Sequence, residues 1–441
     1  MADPSTCPPL TPSSIRAAYQ KINRYIHKTP LLTSTSLDAI ASSRDPTIYL
    51  SDTPPPFSRS AQGPDADSGS GSGSGTGPGG HVAGPNVPKF RLWFKCENFQ
   101  KIGAFKARGA FHAVTRLVEE LGLDEVRRRG VVTHSSGNHA QALALAAYTF
   151  SIPSYIVMPT ISTASKIAGT RLYTPNVIFS GSTSQEREAV VADVVREKGA
   201  ILVPPYDHPD IILGQGTAGL EMEEQFLEAT ATATATGTNP AAVTAFDAVI
   251  TPLGGGGLLG GTATYFSDKP GTLVFGAEPS FQGGDDGRRG LLEGRRIEHV
   301  KTLTIADGLR TPVGLTNWSI ISDQRKVEGL YAVTEEQIKM AMRLVYERMK
   351  VVVEPSGCVG LAVVLFNAEF RDMVVQRQRQ SQGEKEVWDV GVVFSGGNTT
   401  MKALSKLFAD AVEVRDGDTA KEREAGTVAM DGTRNVEDVA G

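Results

Sequence analysis

The sequence predicts an α/β protein of two domains, each a mainly parallel sheet flanked by helices. Three observations carry this expectation. Short apolar strands alternate with helical stretches at the spacing of β–α–β units. Small or glycine-rich loops follow those strands, at the carboxyl ends where folds of this class bind ligands. The 441 residues allow two or three domains at about 150 residues each, and low-complexity spacer brings the folded part toward two.

The elements follow in order. Residues 14–27 read as an amphipathic helix and RLWFKCE (91–97) as a strand. Residues 103–121 form a second helix, with Phe111, Val114, Leu117 and Val118 near the 3.6-residue period. GVVTHSS (130–136) is a strand entering a turn, and 138–148 is an Ala-rich helix. SYIVMP (154–159) is a strand, 182–198 a helix, AILVPP (200–205) a strand and 214–227 a helix. FDAVITPL (246–253) is a strand that runs into Gly254–Gly257, and TLVFGAEP (272–279) is another. Residues 335–350 are helical, and VWDVGVVFSGG (387–397) is a strand closed by a glycine turn.

Four stretches carry too little apolar surface to fold. The first is 51–88, with TPPPFS and SGSGSGSGTGPGGH, a flexible insert inside a domain rather than a boundary. The others are EATATATATGTNPAA (228–242), QRQRQSQGEKE (376–386) and the charged, glycine-containing tail 414–441. Glycine is plentiful, 47 residues, so it serves either as spacer or where backbone must approach a ligand.

Composition narrows the function. Hydrophobic residues are 40% and charged residues 21%, an ordinary globular balance. A net charge of −5 argues against nucleic-acid or anionic-membrane partners. Cys7, Cys96 and Cys358 are far apart with no C-x-x-C, so neither a disulfide framework nor a cysteine zinc site is expected. The start MADPSTCPPL has no basic-then-apolar leader, and no apolar run reaches the roughly 18 residues of a membrane helix. A reducing, cytoplasmic setting is the expectation.

Three loops carry chemistry. TPLGGGGLLGG (251–261) exposes four successive backbone N–H groups ahead of a helix, an anion cradle suited to phosphate. The same run contains Gly255-x-Gly257-x-x-Gly260 with Glu278 downstream, which also matches a dinucleotide fingerprint. ENFQKIGAFKARGA places Lys106 among small and apolar neighbours, where a desolvated lysine becomes a neutral nucleophile. Around Ser135, Ser136, Gly137 and Asn138, hydroxyl, amide and backbone donors gather at a helix start, as a carboxylate requires; a plain helix cap is the competing reading. FSGGN (394–398) is a third such loop.

Jointly, KCENFQKIGAFKARGA, THSSGNHAQALALA, GQGTAGLE, TPLGGGGLLGG, GAEPS, IADGLRTPVG, ERMKVVVEPSGCVG and FSGGN occur in this order, within a likeness that covers roughly residues 14–407. In that combination the chain resembles the fold type II pyridoxal-phosphate enzymes, the tryptophan synthase β-like group. Within that group it is similar to serine racemases and the short serine/threonine dehydratases. The resemblance displaces the dinucleotide reading. It implies two α/β domains with pyridoxal 5'-phosphate between them: a discontinuous large domain, 1–120 and 206–413, and a small mobile domain, 121–205.

Further implications fall residue by residue. Lys106 of F-K-x-R-G carries the cofactor covalently and takes the substrate's α-proton, with Phe105 beside the ring. Asn138 bonds the cofactor's phenolic oxygen. Gly254, Gly255, Gly256, Gly257 and Leu258 hold its phosphate through backbone N–H groups. Ser395 faces the ring nitrogen, and Gly308 and Glu354 line the pocket. Ser135, Ser136, Gly137, Asn138, His139 and Arg187 surround the substrate, Ser136 being the second acid/base that racemisation needs. A Mg²⁺ or Ca²⁺ site is implied at Glu278, the Gly284 carbonyl and Asp286, in a segment two residues longer than the family pattern, so that Asp285 competes with Asp286.

Where ATP-binding racemases carry Q-K-T-G, this chain has Gln100-Lys101-Ile102-Gly103, with Gln141 retained. The lost hydroxyl predicts weak or absent ATP activation. A homodimer follows from the resemblance, and the short tail predicts no regulatory domain. The expected activity is serine/threonine dehydration to a 2-oxo acid and ammonia, with serine racemisation. The alternatives are a dedicated serine racemase, a 3-hydroxyaspartate dehydratase, a β-replacement enzyme or an inactive cofactor-binding scaffold.

Overall fold

The structure is a computed structural model and describes residues 3–51, 53–57, 87–135, 137–181, 184–236, 243–381 and 385–409. Most of the glycine/serine insert and the whole of the expected tail 414–441 lie outside these residues. The chain divides into Met1–Asn398 and Thr399–Gly441. In the second unit the described residues form one helix, Met401–Leu407, whose first turn is capped by the Thr400 side chain.

The strands among the described residues are β1 (Leu31–Thr33), β2 (Phe90–Cys96), β3 (Val131–His134), β4 (Ser154–Pro159), β5 (Val177–Ser180), β6 (Ile201–Leu202), β7 (Ala248–Pro252), β8 (Leu273–Pro279), β9 (Gly329–Val333) and β10 (Trp388–Phe394). They build a six-stranded sheet in the order β1-β2-β10-β7-β8-β9 and a four-stranded sheet in the order β5-β4-β3-β6. Every pairing is parallel except β1 with β2. The four-stranded sheet falls wholly inside residues 121–205.

Parallel sheets need cover on both faces, so their central strands are continuous apolar runs. Every residue of β7 and β10 is buried accordingly. Helix Pro355–Phe366 is apolar all round and buried, as a helix enclosed by other elements must be; it packs on β7, β8, β9 and β10. Strands β2, β10, β7 and β8 are neighbours running the same way. The loops at residues 97–105, 395–398, 254–257 and 280–285 therefore leave the same edge of the sheet. That alignment gathers motifs far apart in sequence.

Several expected boundaries are corrected. The first helix is Pro12–Ile22 rather than 14–27, because Thr11 caps the Ser14 amide and Pro12 takes the first turn. The helix expected at 103 begins at Lys106: Ile102 (φ 58°) and Gly103 (φ 72°) are left-handed, and Ala104 forms a bridge with Gly396 instead. The alternating Ala-Thr segment, expected as a loop, is the last part of a 27-residue helix, Pro209–Ala235. Its Thr232 and Thr234 hydroxyls donate to the carbonyls of Glu228 and Thr230 four residues back. QRQRQ likewise lies in helix Ala368–Gln380, held by the Gln378 amide, which bonds the Lys89 backbone through both its ends.

Behind Lys106 lies a buried ionic cluster. Arg108, Lys95, Glu97 and Glu221 are each fully buried. The Arg108 guanidinium donates to Glu97 at 2.7 and 2.8 Å and to Glu221 at 3.0 and 2.7 Å. Lys95 Nζ completes the set on Glu221 at 2.8 Å and on the Thr29 carbonyl at 2.8 Å. Burial is the largest single effect and raises the Glu221 carboxyl, but the charges and hydrogen bonds of Arg108 and Lys95 together outweigh it, and the net shift is downward. Removing one partner of such a cluster leaves the other charges uncompensated. Arg108→Ala is expected to destabilise the protein by about 3–5 kcal/mol, measured by urea unfolding; a loss nearer the roughly 1 kcal/mol of a surface pair contradicts a closed cluster.

Candidate active site

Lys106 is the first residue of helix Lys106–Leu121. Its position is set from both sides: the Phe105 amide donates to the Ser395 carbonyl at 3.1 Å and the Gly397 amide to the Gly103 carbonyl at 2.9 Å. The turn after β2 is thus stitched to the turn after β10. Nζ of Lys106 donates to the Pro205 carbonyl at 2.8 Å and lies 5.0 Å from the Phe105 ring centroid. The residue keeps some surface, yet burial of the amine pulls it down to about 7, with no carboxylate to hold the proton. Ser395 is buried, and its hydroxyl has no hydrogen-bond partner among the described residues.

The glycine loop joins β7 to helix Gly257–Phe266, with Gly256 as its N-cap at φ 95° and no side-chain cap. Only glycine takes that conformation without strain. All of Gly254–Leu258 is buried, and none of their backbone N–H groups meets an acceptor among the described residues. A Cβ on Gly255 would stand 2.4 Å from the Tyr206 ring, so the loop is closed by the residue next to Pro205. Buried amides left unpaired are costly, and a helix N-terminus favours negative charge. The loop is a cradle for an anion such as phosphate.

Helix Asn138–Thr149 starts at Gly137 without a side-chain cap. Ser135 Oγ instead accepts the Gly137 amide at 3.2 Å, which leaves the Asn138 and His139 amides available. Asn138 Nδ2 donates to Glu354 Oε1 at 2.8 Å, and its Oδ1 accepts from Asn398 Nδ2 at 2.9 Å. Asn398 Nδ2 also donates to the Ile102 carbonyl at 2.7 Å. Both ends of the Asn138 amide are therefore fixed. Burial, then the Asp307 charge, raises Glu354 to about 8, so it is largely uncharged at neutral pH. His139 is pushed down to about 3, by burial first and the Lys106 charge second. Its Nε2 lies 3.3 Å from the Val203 carbonyl.

Phe105 thus bonds Ser395, and Asn138 bonds Glu354, whose amide donates to the carbonyl of Gly396 beside Ser395 at 3.0 Å; Gly308 joins them through its amide on Ser356 Oγ at 3.0 Å, two residues beyond Glu354. Arg187 is half-buried on helix Ser184–Lys198, and after burial its charge is the next cause lowering His134 at the end of β3. Ser136 lies outside the described residues. Glu278 and Asp286 are buried, with the like charge of Asp286 adding to burial in raising Glu278. Asp285 turns away to Arg289 Nε at 3.1 Å. Glu278 accepts the amides of Gly287 and Arg288, each at 2.8 Å, so it does not face the glycine loop as a ribose-binding acid would. The Gln100 amide is occupied by both backbone groups of His27.

Asn398, Pro205, Tyr206 and Gln215 are absent from the expectations above. Asn398 ends the FSGGN motif, a signal open to reading. Gln215 is buried with neither amide atom hydrogen-bonded, and a Cβ on Gly257 would stand 2.5 Å from its Oε1. A carbonyl contribution such as that of Pro205 has no sequence signal.

Residues 83–375 match the family model of pyridoxal-phosphate dependent enzymes. The chain is 35% identical over 401 residues to the serine racemase of Dictyostelium discoideum, covering 90% of this chain and 98% of that protein. It is 39% identical over 322 residues to the L-threo-3-hydroxyaspartate ammonia-lyase of Saccharomyces cerevisiae, covering 72% and 86%. The structure of maize serine racemase superposes with a TM-score of 0.68 at 33% identity, covering 92% of this chain and 99% of that one.

The Lys106 amine loses its reactive neutral form as pH falls through about 7. Limited acetylation of the cofactor-free protein, followed by peptide mass mapping, should therefore show Lys106 reacting with an inflection near pH 7. An inflection near 10.5, the ordinary lysine value, contradicts the desolvation argument.

Proposed function

Because the chain belongs to the pyridoxal-phosphate dependent enzymes, we propose that it is a serine/threonine dehydratase, releasing a 2-oxo acid and ammonia, with serine racemase activity. The observation that carries this reading is the desolvated Lys106 amine on the Pro205 carbonyl, adjoining a buried rim of amides unpaired among the described residues and closed by Tyr206. The residues fit the cofactor: an anion cradle at Gly254–Leu258, an amine that burial moves toward its neutral form, a fixed Asn138 amide and a Ser395 hydroxyl without a partner among the described residues. When bound, pyridoxal phosphate supplies an aldehyde carbon for the substrate's amino group and a conjugated ring that takes up electrons from Cα.

The chain's own residues do the rest. Lys106 Nζ would hold the cofactor and serve as the general base for the substrate's α-proton, with a pKa near working pH. The Pro205 carbonyl orients that nitrogen. The amides of Asn138 and His139, with Ser135, receive the substrate carboxylate at the helix start. Ser395 would offer the cofactor ring a neutral hydroxyl. Ser136 delivers or removes a proton on the opposite side, and Arg187 approaches the substrate from the helix beside it. Residues 121–205 act as a small domain that closes over substrate and excludes water; the ion pair of Lys166 with Asp307, next to Gly308, supports this.

Mg²⁺ or Ca²⁺ fits Glu278, Asp286 and the Gly284 carbonyl, a set of hard oxygens; the orientation of Asp285 toward Arg289 favours Asp286 as the ligand. ATP activation is weak or absent, since Ile102 offers no hydroxyl and Gln100 is engaged by His27. The same proposal takes the enzyme as a cytoplasmic homodimer, in keeping with three free cysteines. A 3-hydroxyaspartate ammonia-lyase is the second reading, favoured by the yeast relative.

Separate incubations with L-serine, L-threonine and L-threo-3-hydroxyaspartate, followed by assays for 2-oxo acid, ammonia and the D-enantiomer, test these readings. Serine and threonine should each yield 2-oxo acid, and serine also its D-enantiomer; turnover of hydroxyaspartate alone favours the second reading. Product from none of them rejects both. Ser136→Ala should spare elimination and lower racemisation about 10²-fold or more, as loss of a general acid/base does; equal loss of both activities contradicts its role.

A further inference from the structure

Pro205, Tyr206 and Asp207 are followed directly by the start of helix Pro209–Ala235, and there a second group of ligating side chains assembles. Cys7, His208 and Asp210 each place one ligand atom within 4.8 Å of the other two. Cys7 Sγ is 3.4 Å from Asp210 Oδ2, and His208 Nδ1 is 3.9 Å from the same oxygen. Tetrahedral zinc, with Zn–S about 2.3 Å and Zn–N and Zn–O about 2.0–2.1 Å, needs ligand atoms roughly 3.3–3.5 Å apart. The sulfur and the carboxylate already stand at that separation, and the imidazole is about half an ångström too far.

Asp210 Oδ1 is buried without a hydrogen-bond partner; its nearest charge is Arg116 Nε at 3.5 Å, itself buried without a hydrogen bond. Asp210 is fully buried and His208 is 4% exposed, whereas Cys7 keeps a route to solvent.

We propose that Cys7, His208 and Asp210 form a zinc site, with water as the fourth ligand. One sulfur and one imidazole nitrogen select a borderline cation over Mg²⁺ or Ca²⁺. Binding is a ligand exchange without redox change. The Cys7 thiol gives its proton to solvent, and thiolate plus carboxylate balance the 2+ ion. The Nδ1 lone pair leaves the Asp210 amide, which it accepts at a long 3.2 Å. Arg116 remains on Oδ1 as the outer partner that orients a ligating carboxylate. The ion would fasten the N-terminal segment to the turn whose neighbours hold Lys106, Gly255 and, through the amides of Leu315 and Thr316, the Asp207 carboxylate.

The test uses the full chain with its cofactor, stripped of metal and held in excess Mg²⁺ so that the Glu278–Asp286 set is not the site read. After addition of Zn²⁺ and desalting, elemental analysis should find one zinc per chain. Co²⁺ in place of Zn²⁺ should give a thiolate-to-metal band in the difference spectrum against the metal-free sample. Cys7→Ser should abolish that band and weaken zinc binding about tenfold or more, while Glu278→Gln leaves both unchanged. Circular dichroism of Cys7→Ser matching the parent keeps the comparison valid, since Cys7 lies in a partly exposed segment. No retained zinc, a cobalt spectrum without the thiolate band, or zinc binding by Cys7→Ser equal to the parent each overturns the proposal.

Discussion

The Arg108 guanidinium is bonded on two sides by carboxylates that lie out of contact with solvent, and each carboxylate belongs to a different part of the chain. Glu97 follows β2, Glu221 lies on helix Pro209–Ala235, and Arg108 sits in the first turn of the helix that begins with Lys106. One residue, Ala107, separates the clamp from the amine. A guanidinium fork is planar and holds its partners in fixed directions, so the clamp sets where Lys106 can stand. Backbone approach does the remaining work: a Cβ on Gly214 would stand 2.7 Å from the Arg108 carbonyl, and one on Gly216 2.8 Å from the Gly261 carbonyl. The lysine helix, the long helix and the glycine-loop helix are thus locked together as one scaffold.

In front of the clamp the electrostatics invert. The cluster behind pairs its cations with carboxylates, whereas burial moves the groups lining the site toward their neutral forms: Lys106 falls to about 7, His139 to about 3, and Glu354 rises to about 8. Attraction for an anion then comes from oriented backbone N–H groups at two helix starts, at Gly257 and at Asn138. Such donors are fixed in place before any ligand arrives and cost no reorganisation when charge develops. A neutral amine between two anion cradles suits a substrate that brings a carboxylate to one while a phosphate occupies the other.

How legible this was in the sequence follows from the range of each interaction. The glycine loop, the lysine motif and the strand–helix order could be read because each is a local pattern at a strand end. The Asn138–Glu354–Asn398 network could not, since its members lie at two helix starts and after β10, more than 40 residues apart in sequence, and meet only in the folded chain. The Pro205 carbonyl carries no side-chain signal. Residues 228–235 were misjudged because alternating Ala and Thr resemble spacer; their helix survives by burying Thr230 and bonding threonine hydroxyls back along the axis. Pro12 after Thr11 was a readable helix start that apolar periodicity alone placed two residues late.

Under the proposed function, burial delivers Lys106, and no other lysine, as the amine that receives the cofactor. Borohydride reduction of the protein loaded with pyridoxal phosphate, followed by peptide mass mapping, measures this directly. The cofactor's mass should appear on the peptide bearing Lys106 alone. Label on a different lysine, Lys101 for example, or no label at all, contradicts it.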